Sequence, residues 1–347
     1  MSGRDINLVS LEAFGRQFGC EVPTLPRNIV ALGWAAGDGA WSCAPERNRL
    51  TRSCAERVPG TLGFLEEYVL PRLPPRSLWF LLCFWDGWRE RHAFTDRYTW
   101  VPAGDLDACD EWRGAPGELP ILCATRRWIA CYAAHRGDPS AVLLPEAHYT
   151  ARSGYAAMFD QVRQGRIPWE AKEARAIFCG GDHGDAGNYL PPLVAGRPHP
   201  RRYLKQVVDA AGLDVDVHLG TGIAPAQQMS RKWILDVDGF TRAWDAFAWK
   251  MQSGSAVLST ASPWETFFTR LFEPWTHFVP VANDFSDLAE KLDWCRTHDD
   301  ECRAMAQRAR QHAEAVYRPE HVARVVARQW RPLLSEGALV HRTMSAG

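Results

Sequence analysis

The chain has 347 residues, 46% of them apolar, and a formal net charge of -1. That length exceeds one ordinary core and predicts two domains, while the near-neutral charge excludes a dedicated nucleic-acid binder with a broad basic face. MSGRDINLVSLEAFG at the start has no apolar core of signal length, and no later stretch spans a bilayer, so the expectation is a soluble, cytoplasmic protein with at most peripheral membrane contact.

The first sixty residues, with scattered Gly, Pro and Cys, show no clear period. Leu62 to Leu73 has helical spacing and is stopped by Pro71 and Pro74-Pro75. Ser77 to Trp85 is a continuous apolar run bounded by Asp86-Gly87, the pattern of a fully buried strand with Asp86 at its carboxyl end. Shorter strands are expected at Pro120 to Ala124 and Ala141 to Leu144, and a helix over 148–164. Composition changes at Gly165-Arg166-Ile167-Pro168-Trp169, and a domain junction is expected near 165–172. Beyond it, strand and helix alternate. Ala174 to Phe178 is a strand ending in Cys179-Gly180-Gly181, Arg201 to Ala211 a helix and Val215 to Leu219 a strand. Trp233 to Val237 runs into the Asp238-Gly239 turn and a tryptophan-rich helix stopped at Ser253-Gly254. Ser255 to Leu258, a helix started by Pro263-Trp264, and a strand around His277 to Val281 complete the series. This is the pattern of an open parallel α/β sheet, whose ligands sit beyond the carboxyl ends of its strands. From Asp284 onward the chain reads as helix, with Asp299-Asp300-Glu301 suited to the positive end of a helix dipole.

The ten cysteines show no CxxC spacing and no accompanying histidine cluster, which favours buried thiols of a reducing compartment over a zinc site. Sixteen tryptophans predict an aromatic core or a ring-lined cleft. Asp105-Leu106-Asp107, Asp214-Val215-Asp216 and Asp236-Val237-Asp238 are spaced to hold a divalent metal, but strand alternation is the favoured reading of all three. Asp238 is set apart because it precedes a glycine at a strand-to-helix turn. Gly220-Thr221-Gly222 lacks the third glycine of a dinucleotide fingerprint. The loop Phe178-Cys179-Gly180-Gly181-Asp182-His183-Gly184 is open to two readings, a backbone cradle for phosphate and a plain turn. Asp86, taken alone, reads as a turn former or helix cap, and the arginines of the last helices as a solvated face.

Four passages, in order, resemble glycosyltransferase family 90. They are Ile167 to Lys172 with Ala176 to Gly181, Lys232 to Gly239, Ser253 to Leu258, and Glu273 to Val281 with Asp284 and Leu288 after it. Ala243-Trp244-Asp245 with Trp249-Lys250 is closer to the family's bacterial lipopolysaccharide members than to its animal protein O-glucosyltransferases. The resemblance implies a GT-B architecture, with two Rossmann-like domains facing a cleft. It assigns 1–168 to the acceptor and catalytic base, 169–318 to the UDP-sugar, and 319–347 to a helix returning to the first domain. It implies an inverting, metal-independent transfer from a UDP-sugar to a glycan or glycolipid, with no cofactor beyond the donor. Asp86 takes the place of the family's base. Phe178, Gly180, Gly181, His183, Lys232, Asp238, Gly239, Arg242, Trp244, Asp245, Ser255 and Glu265 form the implied donor site.

Two departures bear on activity. Cys179 stands where the resembled motif has arginine, and a thiol has no bidentate grip on phosphate. Trp244-Asp245 stands where animal members carry another arginine. The diphosphate would then rest on Lys232, Arg242, His183 or Arg201-Arg202. The alternative expectation is a nucleotide-sugar-binding protein that keeps the fold with impaired catalysis.

Overall fold

The computed structural model describes residues 6–20, 29–45, 56–84, 92–94, 100–102, 129–138, 141–185, 188–190, 196–220, 222–242 and 244–335. The chain divides into two units, Met1–Ser153 with Pro319–Gly347, and Gly154–Arg318.

The first unit holds β1 (Ile6–Leu8), α1 (Leu11–Phe18), β2 (Ile29–Ala35), β3 (Ala40–Pro45), α2 (Val58–Phe64), β4 (Leu78–Cys83), β5 (Ile129–Cys131) and β6 (Ala141–Leu143). Its six-stranded sheet runs β1-β3-β2-β4-β5-β6. The order is mixed rather than wholly parallel. A tight turn joins β2 to β3, with the N–H of Gly39 donating to Ala35 O at 2.9 Å, and a turn so short can only return the chain antiparallel. β2 runs antiparallel to both of its neighbours, whereas β1 pairs parallel with β3, and β4, β5 and β6 pair parallel with one another. The apolar run around Cys83 is the fully buried strand β4, as its composition predicts. The last helix, Pro319–Ser335, is grouped with this unit, where Trp330 meets Phe80 at 5.0 Å and Gln329 donates to Leu143 O at 3.3 Å.

The second unit begins with α3 (Ala156–Gly165), followed by β7 (Glu173–Gly180), α4 (Pro200–Ala211), β8 (Val215–Leu219), β9 (Arg231–Asp236), α5 (Ala246–Gln252), β10 (Ala256–Thr260), β11 (Val279–Val281), α6 (Leu288–Thr297) and α7 (Asp299–Val316). All pairings in its sheet are parallel and the order is β8-β7-β9-β10-β11. Side chains alternate across the sheet. Trp233 and Leu235 join Leu204, Leu288, Cys295 and Met305 on one face, whereas Ile234 joins Val162, Ile177 and Trp249 on the other. Helices therefore cover both faces, as parallel sheets require.

The unit boundary falls ahead of α3, earlier than the junction expected at 165–172. Val162 of α3 is buried against Ile177 and Ile234 of the second sheet, and that burial fixes its allegiance. The helix expected over 148–164 is two, Ala147–Ala151 and α3, separated by Ser153, Gly154 and Tyr155 at φ 50, 70 and 65°. The helix expected after Pro263-Trp264 is absent. In its place stand a short strand, Trp264–Thr266, and a single 3-10 turn, Thr269–Leu271. Trp264, Phe267 and Phe268 are all buried, and their i, i+3, i+4 spacing is that of one helix face, so the apolar pattern agrees with the helix and does not explain its absence. The hydroxyls of Thr266 and Thr269 each accept the other's backbone N–H, a local alternative to helix. Asp86, Asp105, Asp107 and the expected strand Pro120 to Ala124 lie outside the described residues.

Candidate functional site

Chain order and sheet order diverge between β7 and β9. From β7 the chain moves outward to β8, then returns to the other side of β7 as β9. Such a switch point leaves a crevice at the carboxyl ends of the two strands, the usual ligand position in open α/β sheets. A cavity of about 130 Å³ occurs there. Phe178 to Gly181 form one wall, Asp236, Val237, Asp238, Thr241 and Arg242 the second, and Trp244, Phe247 and Lys250 the third, with Arg201 entering from the first turn of α4. Its volume is below the ~300 Å³ at which whole-ligand pockets begin, so it suits one polar portion of a ligand.

Three cations and two carboxylates share this space. Lys250 Nζ donates to Asp236 Oδ1 at 2.7 Å, and Arg242 Nε to Asp238 Oδ1 at 2.7 Å. Arg242 Nη2 also donates to Thr260 O at 2.7 Å and to its hydroxyl at 3.1 Å. Arg201 Nη1 donates to Gly181 O at 3.1 Å, and Ser262 donates its hydroxyl proton to Asp238. Alternation explains the first pair, because Asp236 shares the face of Ile234, over which α5 lies with Trp249 and Lys250. Burial by itself would raise the Asp236 pKa, but Lys250 and Arg242 outweigh it and hold the carboxyl below its ordinary value. Burial likewise opposes charge on Arg242, and Asp238 and Asp236 reverse that effect, raising its pKa. At Arg201 burial prevails and lowers the pKa despite both carboxylates. With one more cation than carboxylate, the wall favours an anion.

The structure brings Phe178, Gly180, Gly181, Asp238, Arg242 and Trp244 to the cavity. Trp244 adopts φ 94°, a conformation seldom seen outside glycine, which the packing around it must enforce. Gly239 adjoins the site. A Cβ there would lie 2.9 Å from the Arg201 guanidinium, so only glycine admits the arginine at that distance. His183 stacks on Phe240 at 5.1 Å, with its pKa lowered by burial and by Arg201, and does not line the cavity. Asp245 stands at the N-cap of α5 and Glu265 in the strand Trp264–Thr266, both outside the lining.

Lys232 and Ser255, which the resemblance places in the donor site, do not line the cavity. Both lie at the amino ends of their strands, away from the switch point. Lys232 binds Asp299, and Ser255 donates to Arg231 O at 2.7 Å and accepts from Lys172 at 2.9 Å. Arg202 is likewise committed, to Asp182 at 2.8 and 2.9 Å. Asp236, Thr241 and Lys250 are lining residues that the sequence reading did not assign to the donor site. Strand direction carried part of the missing signal, since Asp236 ends β9 and Lys232 is its second residue. Cys179 lines the cavity, its Sγ accepting the N–H of Ile223 at 3.3 Å. Among the described residues no three His, Cys, Asp or Glu side chains cluster as metal ligands, and no helix is long and apolar enough to cross a membrane.

A model of glycosyl transferase family 90 matches residues 154–334, slightly more than half of the chain. The chain belongs to glycosyl transferase family 90. The matched span contains the whole switch-point cavity and begins where the second unit begins. Human protein O-glucosyltransferase 3 is 32% identical over 91 residues, which are 26% of this chain and 18% of that protein. Uncharacterized protein 179R of Invertebrate iridescent virus 6 is 26% identical over 180 residues, 41% of this chain and 15% of the viral protein. The chain thus spans less than a fifth of either relative. Anabaena HepE, solved with UDP and glucose, is a distant structural neighbour, with 10% identity, 81% of this chain and 76% of that chain covered, and a TM-score of 0.37.

Proposed function

We propose that this family 90 chain transfers a sugar from a UDP-sugar to a hydroxyl of a glycan or glycolipid, with inversion at the anomeric carbon. The observation that carries the reading is the cluster of Arg201, Arg242 and Lys250 around one small cavity at the switch point of the family domain. A diphosphate is the anion of suitable size for such a wall, and charge develops on it as the donor breaks. The acceptor oxygen attacks the anomeric carbon, the bond from that carbon to the β-phosphate oxygen breaks, and UDP leaves with the electron pair. The acceptor's proton passes to a carboxylate within hydrogen-bond reach. The reading assigns that role to Asp86, and it draws the positive charge against the diphosphate from the chain's own side chains without a resident metal.

A second reading, a nucleotide-sugar binder with impaired catalysis, is favoured by one observation. The wall carries a thiol at Cys179, and a thiol cannot grip phosphate as a guanidinium does. Calorimetry with UDP, paired with a screen for UDP release from UDP-glucose, UDP-galactose and UDP-xylose, separates the two. Binding with release supports the transferase, and binding without release from any donor supports the binder. No UDP binding removes both.

A further inference from the structure

The three cations of the cavity are not equivalent. Arg242 is fastened to Asp238 and to the carbonyl and hydroxyl of Thr260, at 2.7 to 3.1 Å. Arg201 is fastened to the carbonyls of Gly181 and Val237, at 3.1 and 3.4 Å. Both guanidiniums therefore brace the loops that form the walls, and turning either one toward a ligand releases backbone carbonyls. Lys250 braces nothing of the kind. It is buried, and an ammonium has three N–H donors. Among the described residues Nζ has one hydrogen-bond acceptor, Asp236 Oδ1. Its other close neighbours are the rings of Phe178 at 6.0 Å and Trp249 at 5.9 Å. A buried charge with so few partners is costly, and an oxygen-rich anion in the cavity would relieve that cost. Asp236, for its part, has other support. Its Oδ2 accepts from Ser259 at 3.4 Å and lies 3.6 Å from Arg242 Nη2. Lys250 can turn away without leaving that carboxylate alone.

We propose that Lys250 is the movable cation of the site, held by Asp236 until a diphosphate enters and then donating to phosphate oxygens. This rests on the donor reading above for the identity of the anion. As the bond to the anomeric carbon breaks, the electron pair moves onto the β-phosphate oxygen, and the Lys250 ammonium supplies charge that the neighbouring Cys179 thiol does not offer. Arg201 and Arg242 hold the walls in place.

Calorimetry with UDP, inorganic pyrophosphate and uridine tests this on the intact chain and on K250M, D236N and K250M/D236N. Removing Lys250 by itself takes the nearest cation from a buried carboxylate and weakens folding, so the double variant, which removes both charges of the pair, carries the comparison. The expected result is about ten- to a hundredfold weaker binding of both UDP and pyrophosphate in K250M and in the double variant, the range of a lost charge-assisted hydrogen bond, with uridine binding unchanged. D236N, which frees the ammonium, should bind pyrophosphate at least as tightly as the native chain. If the double variant regains native affinity for the two anions, Lys250 serves Asp236 alone and the proposal is overturned. A native chain that binds pyrophosphate through Lys250 but not UDP supports the movable cation and removes the donor reading. A native chain that binds UDP, with K250M/D236N binding it equally well, keeps the donor reading and removes Lys250.

Discussion

Lys232 donates to both carboxylate oxygens of Asp299, at 2.8 and 2.9 Å, and its ammonium lies 5.2 Å from the ring centre of Trp169, which itself donates to Asp299 at 3.0 Å. The pair joins β9 to the first turn of α7 at the end of the sheet opposite the cavity. A lysine inside a family motif is thus a structural tie. Half-exposed pairs of this kind contribute little, about 0.2–1 kcal/mol. Lys232→Ala should lower the unfolding midpoint by a few degrees at most and leave the UDP dissociation constant within about twofold of native. A tenfold loss of UDP affinity without destabilisation would return Lys232 to the donor site.

Arg242 is the opposite case. It is buried, pairs with Asp238, and ties β10 to the turn after β9 through Thr260. Arg242→Met leaves Asp238 buried with its charge partner removed, and breaking such a pair costs about 3–5 kcal/mol. Urea unfolding should show this as a lower midpoint with little change in slope. Arg242→Lys keeps the charge but cannot reach Asp238 and Thr260 together, so it should recover only part of the loss.

Asp86 lies outside the described residues, and its assignment as base rests on sequence resemblance. Positioned general bases contribute about 10²–10⁴-fold. Asp86→Asn should therefore lower turnover by that range while UDP affinity measured by calorimetry stays native. An active Asp86→Asn enzyme would place the base elsewhere.

His277 stacks on His312 at 4.5 Å, and Phe272 meets both rings edge-on. Burial, then His312 and Arg308, lower its pKa below the ordinary 6.5, against the opposing pull of Glu273. A histidine with a depressed folded-state pKa binds its proton in the unfolded chain first. Stability is therefore unaffected well above pH 6.5 and falls as pH drops through 6.5 toward the lower folded value. One such group sets a slope no steeper than about 1.4 kcal/mol per pH unit. Urea midpoints at pH 8 and pH 5 should differ less in His277→Gln than in the native chain, even if the variant is weaker at both. An unchanged difference would assign the acid sensitivity to His183 and His199, whose pKa values burial also lowers.

Much of the second unit was legible in the sequence because its signals are local. Val215 to Leu219 is a strand with the expected ends, and Ser253-Gly254 stops α5, with Gly254 at φ 72°. Gly180, Gly181, Asp238 and Arg242, which the resemblance places in the donor site, follow strand ends and border the cavity. The failures have separate causes. Pro263-Trp264 looks like a helix start, but the hydroxyls of Thr266 and Thr269 take each other's backbone N–H and offer the chain a local alternative to helix. Ser255 and Lys232 were drawn in by motif membership, although strand polarity already put them at the far end.

By itself, then, the sequence determined the α/β class, the succession of the five strands of the parallel sheet between Glu173 and Val281, and the family, since each follows from residue order and short-range spacing. Tertiary structure decided which charged side chains meet. Lys250 and Asp236 are fourteen residues apart, and Arg201 reaches Gly181 from α4. Those meetings exist because β9 crosses back past β7, so that one face of β9 lies under α5, and no local pattern specifies that crossing.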